Sequence, residues 1–171
     1  MSAPAASSGS DLVARVRALV LAGPYEGPRA LAALMVRIAA GCVLVAFGIG
    51  KFVAHEHEVE SFTGYGLPAP EVFVSVIGVV ELTGGLLFLA GLLTRPAALM
   101  IAGNMVGAIV TSGILKGETI SLTLAPALFL SACFLLWAGG GARSVDAVLA
   151  RRAVGPDAVP PGSGDRAREP L

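Results

Sequence analysis

Apolar residues in this chain fall into long blocks separated by short polar connections. Two windows, 96–115 and 119–142, carry no charged side chain over 20 and 24 positions. Two more, 30–50 and 72–94, are each broken by a single charge, Arg37 and Glu81. About 20 helical residues at 1.5 Å each cross a hydrocarbon layer about 30 Å thick. The pattern therefore predicts four membrane-spanning helices at about 30–50, 72–94, 96–115 and 119–140. Ahead of them, Leu12, Val13, Val16, Leu19 and Val20 recur at helical spacing with Arg15 and Arg17 opposite, which predicts a short interfacial helix.

The connections are equally legible. In Gly91-Leu92-Leu93-Thr94-Arg95-Pro96 a glycine ends one helix and a proline starts the next, so spans two and three form an antiparallel hairpin. Phe52, Val59 and Phe62 keep helical spacing in the long first loop, 52–71, which predicts a segment on the membrane surface before Gly64-Tyr65-Gly66-Leu67-Pro68 turns the chain. Residues 1–10 and 155–171 lack apolar periodicity and read as disordered. Three regions follow: a lead with the interfacial helix over 1–29, the membrane domain over 30–142, and an amphipathic helix with its tail over 143–171. The apolar run after Arg17 is too short before Gly23-Pro24 for a signal peptide.

Composition agrees. Apolar residues make up 55% and charged residues 14%, against about 25% charged in soluble domains, too few to cover a soluble surface. Twelve charges of each sign cancel, so no field draws nucleic acid, and two distant cysteines make no disulfide framework. The arginines at 15, 17, 29, 95, 143, 151, 152, 166 and 168 fall on one side of four spans, and Lys51 and Lys116 on the other. Because cytoplasmic loops keep positive residues, the fold expected is all-α, an integral membrane antiparallel four-helix bundle with both termini cytoplasmic.

Arg37 and Glu81 are the candidate chemistry, since a charge in mid-span costs about 2.5–3.5 kcal/mol on insertion scales and marks function. Counted from the cytoplasmic ends, Arg37 lies about 10 Å deep, Asn104 about 12 Å and Glu81 about 18 Å, a gap that an arginine side chain can bridge. The expectation is a buried polar cluster of Arg37, Glu81 and Asn104, with Lys51 above it on the same face of span one. Three readings stand: a structural Arg37–Glu81 ion pair, a Glu81 that carries a proton or holds a ligand's polar head with Arg37 tuning it, and an Arg37 that reaches the surface beside a protonated Glu81.

Other chemistry is weaker. His55 and His57 with Glu56, Glu58 and Glu60 read as a solvated acidic loop, and no metal site is expected. With no histidine inside a span, a bis-histidine haem is excluded. Cys42 and Cys133 are expected in the core, too far apart in depth to bridge. Gly103-x-x-x-Gly107 is a packing signal, and Pro126 a kink in span four.

These residues together resemble the DoxX family of small bacterial membrane proteins. The likeness is carried by Arg37-Ile38-Ala39-Ala40-Gly41, Gly48-x-x-Lys51-Phe52, Tyr65-Gly66-Leu67-Pro68, Gly78-x-x-Glu81-x-x-Gly84-Gly85, Gly91-Leu92-x-Thr94-Arg95 and Ala97-Ala98, and it extends over 34–152. Ser144-Val145-Asp146 stands where the family often has Ser-Leu-Asp. The resemblance implies a four-helix protein of the bacterial cytoplasmic (inner) membrane, with Arg37, Lys51 and Glu81 as its site residues. It also implies membership of a membrane redox system, since some DoxX proteins are subunits of oxidoreductases, including thiosulfate:quinone oxidoreductase, or of redox-stress complexes. No cofactor motif is present, so electron transfer requires a soluble or membrane redox partner protein or a bound quinone. A proton-coupled transporter and a non-catalytic scaffold are the alternatives.

Overall fold

The computed structural model describes Val13, Val16 and residues 27–141 and 143–153. Apart from those two valines, the expected interfacial helix and the tail from 155 onward lie outside the described residues. No strand occurs among the described residues. The helices are α1, Gly27–Val53; α2, His55–Gly64; α3, Pro70–Ala90; α4, Thr94–Ala108, continued by a π-helical segment, Ile109–Ile114; α5, Thr119–Ala138; and α6, Val145–Ala153. Four of these, α1, α3, α4 with its π-helical extension, and α5, are long and apolar enough to cross a membrane. α1 begins three residues earlier than the predicted span and runs past Lys51, because neither Gly27-Pro28 nor Lys51 interrupts the backbone hydrogen bonds. Pro126 lies inside α5, which continues through it as one helix.

In lipid, helices gain little from hiding apolar surface from one another, so close van der Waals approach decides partners. α1 presents Ala33, Arg37, Ala40, Gly41, Leu44, Gly48 and Lys51 on its buried side. A Cβ on Gly41 would sit 3.0 Å from the Gly85 carbonyl oxygen, and one on Gly48 would sit 2.8 Å from the Leu82 backbone nitrogen, so here α1 and α3 touch backbone to backbone. The α3 partner falls in number as the α1 residue rises. This register puts Lys51 level with Gly78, and Arg37 level with Gly91, just past the end of α3. The first three turns of α1 therefore overhang α3 and pack instead on the connection after α5, where Gly141 lies against Ala30 and Ala33.

The remaining core joins α4 to α5 through Ala97, Ala98, Ile101 and Met105 against Ala125, Leu128, Ala132 and Leu135. α3 meets α4 at Gly84, where a Cβ would strike the Ile101 side chain. Cys42, expected in the core, lies instead on the exposed side of α1, and Cys133 is half-buried; both are free thiols. The position of Cys42 follows from α1 spending its packing face on alanine and glycine.

Candidate functional site

The polar residues predicted as one cluster form two. At one end of the helices Arg37, 2% exposed, donates from Nη1 to the Gly140 carbonyl oxygen at 2.7 Å and from Nη2 to the Arg143 carbonyl oxygen at 3.3 Å. Gly91, at positive φ, closes α3 against it, and any Cβ there would collide with the Arg37 guanidinium. Beside this contact the Asp146 carboxylate accepts hydrogen bonds from the backbone N–H groups of Leu93 (2.8 Å) and Thr94 (2.9 Å), capping α4 from a distant part of the chain. Asp146 N–H in turn donates to the Gly91 carbonyl at 2.9 Å. A carboxylate at a helix N-terminus satisfies orphan donors and meets the positive end of the helix dipole. Every directed bond of Arg37 goes to backbone, so this cluster clamps the α3–α4 turn and the α5–α6 connection to α1.

Arg37 is therefore not the partner of Glu81. The residue level with Arg37 is Gly91, just past the end of α3 and ten positions beyond Glu81, which at 1.5 Å per residue is about 15 Å. Counting depth inward from the ends of spans assumes that those ends are level, and the overhang of α1 breaks that assumption.

At the opposite end Lys51 takes the place expected of Arg37. Its Nζ lies 2.9 Å from Glu81 Oε2, with both side chains less than a tenth exposed. The contact is ionic, outside the angles of a directed hydrogen bond, so that Oε2 has no hydrogen-bond donor of its own. Asn104 Nδ2 donates to Glu81 Oε1 at 3.3 Å. Helical geometry explains the meeting. Lys51 and Gly48 share the buried side of α1, Glu81 and Gly78 share that of α3, and the glycines let the helices approach until the long side chains fold together.

This triad lies in a cavity of about 470 Å³ between α1, α3, α4 and α5. Of its lining residues Leu44, Glu81 and Leu128 are buried and Asn104 half-buried, whereas His57 is exposed and Tyr65 and Glu118 are half-buried, and we take the side of those last three as its mouth. The size is that of small-molecule sites, which are mostly apolar with a few convergent polar groups. The π-helical segment brings Thr111 and Ser112 to the wall, and π-helical turns are frequent at functional sites.

The mouth is a hydrogen-bonded collar that sequence reasoning missed. Tyr65 Oη donates to Glu118 Oε2 at 2.9 Å, Ser121 Oγ donates to the same oxygen at 2.9 Å, and Ser112 and Ser121 hydroxyls lie 2.6 Å apart. Burial, with the Glu118 hydrogen bond and charge, pushes the Tyr65 hydroxyl up to about 12. Tyr65 and Asp146 do fall in the segments singled out above by resemblance, Tyr65-Gly66-Leu67-Pro68 and Ser144-Val145-Asp146. Their partners at 118 and at 93–94 are more than 50 residues away, and no local pattern connects them.

A family model, DoxX, matches residues 32–113, which contain Arg37, Lys51, Glu81 and Asn104. The chain is 35% identical over 142 residues to the "Uncharacterized membrane protein Rv3486" of Mycobacterium tuberculosis, covering 75% of this chain and 86% of that one. It is also 35% identical over 78 residues to the "Putative oxidoreductase CatD" of Bacillus subtilis, covering 46% of this chain and 57% of the relative. No solved structure matches. A membrane-length set of four helices, a family match across the first three, and a relative aligned over most of both chains lead to one conclusion: the chain belongs to the DoxX family of membrane proteins.

Proposed function

We propose that this protein is an accessory subunit of a membrane redox system and that its inter-helix cavity holds the polar head of a quinone. The observation that carries the reading is the Lys51–Glu81–Asn104 triad in the wall of a cavity of about 470 Å³, beside the apolar side chains of Leu44, Phe47, Met105 and Leu128. Three polar side chains held within membrane-spanning helices need a reason, since each is costly there. Lys51 Nζ and Asn104 Nδ2 are donors suited to a carbonyl oxygen, and Glu81 can hold a proton for it. Electrons come from a partner oxidoreductase, soluble or in the membrane, because the chain has no cofactor motif of its own. The oxidoreductase designation of the Bacillus subtilis relative points the same way.

In this reading the helices form an antiparallel bundle in the bacterial inner membrane with both termini in the cytoplasm. Arg29 stacks on Trp137, Arg95 donates to the Trp137 carbonyl, and Arg143, Arg151 and Arg152 follow α5, so arginine collects at one end. The positive-inside rule assigns that end to the cytoplasm. The collar of Tyr65 and Glu118 then faces the opposite side.

The test is gentle purification from the native membrane, followed by mass spectrometry of bound lipids and co-purifying proteins. Wild type should carry a stoichiometric quinone that folded Glu81→Gln and Lys51→Met variants have lost. Wild type with neither quinone nor a redox partner would overturn the reading in favour of a transporter, for which proton-dependent vesicle flux abolished by Glu81→Gln is the signature.

A further inference from the structure

Glycine in the middle of a helix costs roughly 0.5–1 kcal/mol relative to alanine. Gly41, Gly48, Gly84 and Gly85 repay that cost through contact, because a Cβ at any of them would collide with a neighbouring helix. Gly103 and Gly107 do not. Both are exposed, and a Cβ built on either meets nothing within 4 Å, so the expected packing role of Gly103-x-x-x-Gly107 is absent within the described chain. Yet both line the cavity.

Residues that are at once cavity wall and outer surface mark a place where the cavity reaches the outside. Gly103 and Gly107 lie inside the third membrane-length helix, so that outside is hydrocarbon. The window lies between α3 and α4. These helices touch at Gly84, where Met100 and Ile101 close the gap, and are bridged one turn further along by the Asn104 to Glu81 hydrogen bond. Beside and beyond that bridge, Gly103 and Gly107 line the cavity together with Ala108 and Thr111. Ile77 and Phe73 form the opposite jamb, both lining the cavity, with Phe73 38% exposed.

We propose that the cavity is loaded sideways from the bilayer. A single-tailed amphiphile enters between α3 and α4, sets its hydrogen-bonding head against Lys51, Glu81 and Asn104, and leaves its apolar tail lying over Gly103 and Gly107 into the lipid. The inference rests on the binding reading above and adds the route and the tail. The two glycines act by having no side chain: they keep the sill low where a leucine would fill it. The head binds at the one point of the window where polar groups converge, and an apolar tail has no dehydration cost in hydrocarbon.

The test uses the full chain in lipid nanodiscs and a long-chain alcohol carrying a photoreactive diazirine on its chain as the probe. After irradiation, peptide mass spectrometry reads labelling of the inner wall, at Leu44 and Met105. Wild type should be labelled there, Gly103→Ala/Gly107→Ala should remain labelled, and Gly103→Leu/Gly107→Leu should lose the label. Thermal unfolding of the three proteins checks that the leucine variant is folded, as the empty space around both glycines leads us to expect. An unlabelled inner wall in wild type overturns the window. So does equal labelling in the leucine variant, and so does a dimer that shields the wall and disappears in that variant, which would assign the glycines to a second copy. Adding decylubiquinone separates the two readings: protection of the wall supports the quinone assignment, whereas labelling that decylubiquinone does not reduce overturns that assignment and leaves the window standing.

Discussion

If Lys51, and not Arg37, is the partner of Glu81, a double-mutant cycle will show it. Lys51 Nζ and Glu81 Oε2 are 2.9 Å apart with side chains 9% and 8% exposed. Removing one member of such a buried pair costs about 3–5 kcal/mol, because the remaining charge stays desolvated. Lys51→Met retains most of the apolar stem, and Glu81→Gln retains the shape and an acceptor for Asn104. With both charges gone nothing is left uncompensated, so the double variant should lose about 2 kcal/mol less than the sum, a coupling within the range for contacting residues. Arg37→Met should be costly by itself, since hydrogen bonds from a charged donor to the Gly140 and Arg143 carbonyls are worth about 1.5–3 kcal/mol each. Combined with Glu81→Gln, however, it should be additive within about 0.5 kcal/mol, as expected for sites about 15 Å apart. Reversible unfolding in mixed micelles, followed by helical circular dichroism, supplies the stabilities. A coupling above about 1 kcal/mol between Arg37 and Glu81, with less than about 0.5 kcal/mol between Lys51 and Glu81, would refute the register from which the site is built.

Three further outcomes follow from the same contacts. Gly48→Ala should destabilise by about 1–3 kcal/mol, since its Cβ would fall 2.8 Å from the Leu82 backbone nitrogen, whereas Gly103→Ala, with nothing nearby, should be neutral or stabilising by up to about 1 kcal/mol in the same assay. Asp146→Ala should cost about 1–2 kcal/mol by uncapping α4, with Asp146→Asn intermediate, measured as a fall in the unfolding midpoint. The Tyr65 hydroxyl, raised to about 12 from 10.0, binds its proton more tightly in the folded state than in the unfolded one. Its contribution is therefore complete below pH 10 and lost as pH rises toward 12. The stability difference between wild type and Tyr65→Phe should be flat below pH 10 and shrink above it, and a difference that grows with pH would contradict the collar.

The features that can be read along the chain are local. Whether a segment enters hydrocarbon depends on the summed transfer cost of some 20 consecutive side chains, and a helix satisfies its backbone within that same segment. The four spans, the Gly91 turn and the presence of buried charges were therefore legible from composition along the chain, with boundaries displaced by only a few residues. Which charge meets which was not. That depends on the register between α1 and α3, set by Gly41 against Gly85 and Gly48 against Gly78 and Leu82, contacts between residues 30 or more positions apart. A slip of the register by almost four turns of α1 separates an Arg37–Glu81 pair from a Lys51–Glu81 pair, and both satisfy the same one-dimensional pattern. The cavity, the collar joining Tyr65 to Glu118, and the Asp146 cap depend likewise on surfaces that exist only once helices pack. Van der Waals fit between distant segments chose among arrangements that hydrophobicity leaves equal in lipid.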